Sequence, residues 1–99
     1  MRLTSEQILA IKQTAHQVLG QDSRVTLFGS RVNDAMRGGD IDLLFEVDRA
    51  VDNRAVVMGA LYASLIKSLG DRKIDILFKD AATPIAPVMA KAHQTGVVL

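Results

Sequence analysis

The stretch Asp40-Ile41-Asp42-Leu43-Leu44-Phe45-Glu46-Val47 constrains this chain more than any other segment. Side chains alternate across a strand, so Ile41, Leu43, Phe45 and Val47 share one face while Asp40, Asp42, Leu44 and Glu46 share the other. A strand with one wholly apolar face has to be covered by helices or by a second sheet. The opposite face opens with two carboxylates, about 7 Å apart along the strand. With 99 residues the chain can build one core and is too short for two, so a single domain over 1–99 is expected.

The flanking pattern supplies the cover. Thr4 with Gln7 is a capping-box pair, and behind it Ile8, Ile11, Ala15, Val18 and Leu19 recur at helical spacing until Gly20. Val25 to Phe28 reads as a strand that stops at Gly29-Ser30. Arg31 to Arg37 has room for one or two helical turns before Gly38-Gly39. From about Asp52 to Leu69 runs the longest helix, closed by Gly70, with Met58, Tyr62, Leu65 and Leu69 as its main stripe. Lys73 to Phe78 is a third strand, placing Ile74, Ile76 and Phe78 on one face and Lys73, Asp75 and Leu77 on the other. Pro84 opens a last helix, Ile85 to Thr95, which Gly96 ends. The fold expected is α/β (α+β): a small mixed sheet of three or more strands flanked by helices.

Composition narrows the partners. Hydrophobic residues make up 48% of the chain, and with its 7 glycines the apolar share exceeds the 45–50% usual for soluble domains. That excess points to apolar surface covered by a partner, and Val57 and Leu61, outside the main stripe of the long helix, are its expected address. A net charge of +1 disfavours direct nucleic-acid binding, which needs a cationic stripe. Without Cys there are no disulfides, thiolate metal sites or Cys nucleophiles. The polar N-terminus and the lack of an apolar run approaching ~18 residues predict a cytoplasmic protein away from membranes.

Two features carry chemistry. If the polar faces of the 40–47 and 73–78 strands coincide, Asp40, Asp42 and Asp75 surround one point. Clustered carboxylates repel, and a hard divalent cation, Mg²⁺ before Ca²⁺, resolves the conflict. Gly29-Ser30 directly after a strand lets the backbone approach phosphate oxygens and adds a hydroxyl. Arg31 follows where a P-loop would continue with Lys, so this is a different phosphate cradle. Together the two are the equipment for metal-assisted nucleotidyl transfer.

In this order, Phe28-Gly29-Ser30, then Asp40-Ile41-Asp42-Leu43, then Lys73-Ile74-Asp75-Ile76, the chain resembles the minimal nucleotidyltransferases of the DNA polymerase β-like superfamily. Many relatives have one more residue between the Ser and the first Asp, and often Ser where this chain has Gly39. The resemblance implies a polymerase β-like nucleotidyltransferase fold over roughly residues 20–80. It implies that Gly29 and Ser30, with Arg31 beside them, bind the triphosphate of ATP. Asp40, Asp42 and Asp75 would hold Mg²⁺, two ions in the family's scheme, and Asp75 would help deprotonate the acceptor hydroxyl.

Stand-alone members of about this length resemble antitoxins that transfer AMP to a tyrosine of a HEPN-type ribonuclease toxin encoded nearby. That implies a protein partner and a hetero- or homo-oligomer. Two alternatives stand beside it: a degenerate module that neutralises its partner by occlusion, and a transferase acting on a small-molecule hydroxyl. Elsewhere, Glu46 reads as solvated or ion-paired, His16 and His93 as structural or surface residues, and Tyr62 as core.

Overall fold

Local signals place most of the elements. A computed structural model of the protein describes residues 3–29, 41–70 and 73–99. Helix α1 spans Ser5–Leu19 and starts on the expected capping box. Thr4 Oγ1 accepts the Gln7 N–H at 3.1 Å, and Gln7 Oε1 accepts the Thr4 N–H at 2.9 Å. Strands β1, Arg24–Phe28, and β2, Ile41–Glu46, come next in the described chain. The short helix expected over 31–37 lies outside the described residues, as do Ser30, Arg31 and Asp40.

Helix α2 runs Arg54–Leu69, with Asn53 Oδ1 capping the Val56 N–H at 3.1 Å. Strand β3 covers Ile74–Lys79, helix α3 Pro87–Thr95, and strand β4 Val97–Val98. Among the described residues the architecture is mixed α and β: three helices around a four-stranded sheet of order β3-β2-β1-β4. β1 is antiparallel to both β2 and β4, whereas β2 and β3 are parallel. Parallel neighbours need a long crossover, and α2 provides it. Among the described residues no helix is long and apolar enough to cross a membrane.

The sheet buries both faces unequally. On one, Val25, Leu27, Ile41, Leu43, Phe45, Ile74, Ile76 and Phe78 pack against Ile11, Ala15 and Leu19 of α1 and Leu61, Leu65 and Leu69 of α2. Thr14 and Ser64 tie the two helices together through a 2.8 Å hydroxyl pair. On the other face, α3 lays Met89 and Ala92 over Leu44, with Phe28 and Leu77 at the margins.

Two expectations are corrected. The last helix begins at Pro87, not at Ile85. A residue before proline is driven out of the helical region, and Ala86 is extended at φ −78°, ψ 155°, so Pro87 opens the helix. Val97–Val98, for which the sequence offered no element, pairs with Leu27 and Thr26 as a fourth strand. Leu61, assigned to a partner-facing flank, is fully buried in the core, and Val57 packs against that same core. The large exposed apolar residues of α2 are instead Val56 and Ile66.

Candidate active site

The sheet register brings the acidic residues together. On the face that α3 only partly covers, Phe28 of β1 stands opposite Asp42 of β2, and Asp42 stands opposite Asp75 of β3. Neighbouring strands lie about 4.8 Å apart, so the two carboxylates leave the same face from adjacent positions. Asp42 is half-buried and Asp75 exposed. The next row, Thr26, Leu44 and Leu77, is the patch under α3. The acidic pair thus borders the helix-covered apolar row on one side.

Gly29 ties the strand-ending turn to this pair. Its backbone has φ +75°, a region that L side chains rarely adopt. A Cβ built there would press into Asp42 Oδ2 and lie 3.1 Å from Asp42 Cγ. The hydrogen of glycine is what lets the carboxylate lie against the chain as it leaves β1. Any other side chain would push Asp42 away. Of the six expected site residues, then, Gly29, Asp42 and Asp75 fall together, while Ser30, Arg31 and Asp40 lie outside the described residues.

The other end of the same face is organised differently. There Arg24, Glu46 and Lys79 form the cross-strand row. Glu46 is buried and its Oε1 lies 2.7 Å from His93 Nε2, so the pair anchors α3 to β2. Arg24 makes two hydrogen bonds to Asp48, at 3.1 and 3.0 Å. That contact holds the Asp48 carboxyl below its ordinary range and raises the Arg24 guanidinium. Both groups are largely exposed, and the contact is worth little to stability.

One residue that matters was missed from sequence. Asp80, 2% exposed, accepts the Val51 N–H at 3.0 Å through Oδ2. Its Oδ1 accepts the Ala82 N–H at 3.0 Å and the Thr83 hydroxyl at 2.8 Å. Arg54 stands 3.5 Å away and its guanidinium lies over the Phe78 ring, 4.9 Å from the centroid. The local signal was available, because Asp followed by Thr three residues later is a turn-forming pair. Tyr62, expected in the core, does pack its ring there, and its hydroxyl also accepts the Ile76 N–H at 3.2 Å.

Asp42 and Asp75 offer only oxygen donors, from adjacent strands and open to solvent at Asp75. That donor set suits Mg²⁺, which takes one or two carboxylates and leaves its other positions to water and phosphate. No protein-family model matches the chain, and no curated protein matches it either.

Proposed function

We propose that this protein is a Mg²⁺-dependent nucleotidyltransferase that moves AMP from ATP to a hydroxyl of a partner protein. The observation that carries this is the convergence of Gly29, Asp42 and Asp75 at one end of one sheet face, in the order the family resemblance requires. Asp42 and Asp75, with Asp40 one residue before β2, would hold the metal, which when bound polarises the α-phosphate and offsets its charge. Gly29 lets the triphosphate approach the backbone, and Ser30 and Arg31 follow it in the chain with a hydroxyl and a guanidinium. Asp75 takes the proton of the acceptor hydroxyl as its oxygen bonds to the α-phosphorus. The bond from that phosphorus to pyrophosphate breaks, and pyrophosphate leaves. The acceptor on this reading is a tyrosine of a HEPN-type toxin encoded nearby, and the protein is its cytoplasmic antitoxin.

The test is direct. Purified protein, the product of the neighbouring gene, Mg²⁺ and ATP labelled at the α-phosphate should yield a labelled neighbour. Absence of transfer with all four nucleoside triphosphates overturns the enzyme assignment. Asp75→Asn should lower transfer by about 10²-fold or more. Because Asp75 is exposed and faces a like charge, its melting midpoint should match or slightly exceed that of the wild type.

The exposed Val56 and Ile66 favour a second reading, in which α2 docks on the partner and inhibits it by occlusion. An Asp40→Asn, Asp42→Asn double variant decides between them. Continued protection of cells from the toxin supports occlusion, and loss of protection supports transfer.

A further inference from the structure

We propose, resting on the nucleotidyltransferase reading, that Tyr62 is a positioning residue that aims Asp75 by holding the peptide immediately after it. Among the described residues β3 is an edge strand, bonded only to β2. In a parallel pair, alternate residues of a strand turn their N–H and C=O groups toward the neighbour. Ile41 N–H donates to the Lys73 carbonyl and Val47 N–H to the Lys79 carbonyl, both at 3.0 Å. With the register between them, this turns Lys73, Asp75, Leu77 and Lys79 toward β2, and Ile74, Ile76 and Phe78 toward the open edge.

On that open edge the Ile76 N–H would be left to solvent. Instead it donates to the Tyr62 hydroxyl at 3.2 Å. The C=O of the Asp75–Ile76 peptide belongs to the β2 ladder and its N–H is held by α2, so the peptide plane is pinned from both sides. The peptide that follows Asp75 is therefore oriented by a side chain from another element. Two residues further on, Arg54 Nη2 donates to the Phe78 carbonyl at 2.8 Å and repeats the hold from the same helix. Direct pairing with Asp42 demands a defined twist at Asp75, and an unclamped edge strand would leave that twist to fraying.

Tyr62→Phe keeps the ring in the core and removes only the hydroxyl. The expected result is faster amide exchange at Ile76, a fall in kcat for transfer of about tenfold, and a KM for ATP within about twofold of wild type. Thr14→Val, which breaks a hydroxyl pair between α1 and α2 away from β3, serves as the stability control and should leave kcat unchanged. Wild-type kcat or wild-type Ile76 exchange in Tyr62→Phe overturns the proposal. If the wild-type protein transfers no nucleotide, the nucleotidyltransferase reading fails, and Mn²⁺ alone then judges Tyr62. Broadening of the Asp42 and Asp75 amide signals should need about tenfold more Mn²⁺ in Tyr62→Phe. Equal midpoints, or no broadening in the wild type, count against it.

Discussion

Gly29 is the residue on which fold and proposed chemistry meet. The sequence marks it as a glycine after a strand, where the backbone can approach phosphate oxygens. The tertiary structure adds a positive φ and a carboxylate in the space where a Cβ would stand. Gly29→Ala should cost about 1–2 kcal/mol by denaturant unfolding. Transfer should fall by more than that loss accounts for, since the new methyl displaces Asp42.

Asp80 supports a pH prediction. The Val51 N–H, then the Thr83 hydroxyl and the Ala82 N–H, with Arg54 nearby, hold its carboxyl below the ordinary range. A group whose folded pKa lies below its unfolded value of roughly 3.9 contributes stability that is complete above that value. The contribution is lost as pH falls through the folded pKa. Asp80→Asn should therefore be less stable than wild type at pH 7, with the difference shrinking below about pH 4. Thermal melts across pH 2–7 (a range chosen to span roughly the carboxylate pKa values) measure it. Asp48→Asn, at an exposed carboxylate, should change the curve far less.

At the scale of elements, capping chemistry and hydrophobic period located α1, β2, α2 and β3 closely, because their signals are local. The start of α3 differs from the sequence expectation because Pro87, not Pro84, opens the helix. The two-residue β4 was not legible, since such a strand has no period of its own. It exists because Gly96 lets the chain turn tightly from α3 onto β1. A Cβ on Gly96 would lie 2.6 Å from Thr26 Cγ2 and 2.8 Å from the Leu27 carbonyl oxygen. Gly96→Ala should displace α3 or β4 and destabilise by about 1–3 kcal/mol. Loss of amide protection at Val97 and Leu99 would register it, since Leu99 N–H donates to the Val25 carbonyl at 2.9 Å.

For the whole molecule, the apolar excess divides between core and surface. Leu61 belongs to the core, so Leu61→Ala should cost about 2–5 kcal/mol. Ile66, half exposed on α2, should accept Ile66→Asp at a cost below about 1 kcal/mol while weakening any partner that docks there. Paired unfolding and pull-down measurements separate the two effects. The expected partner surface thus moves from Val57 and Leu61 to Val56 and Ile66. Apolar period names a stripe, but only the packing of α1 against α2 decides which edge of that stripe is closed.

The sequence by itself determined β1, β2 and β3, the long helices and the face on which Asp42 and Asp75 stand, because side-chain alternation and helical spacing are properties of neighbours along the chain. It could not determine that Asp42 and Asp75 are direct partners, that Gly29 yields its space to Asp42, or that Tyr62 holds the peptide beside Asp75. Nor could it pair Glu46 with His93, 47 residues away. Those depend on strand order and register, which are set when the apolar faces of all the strands are buried together.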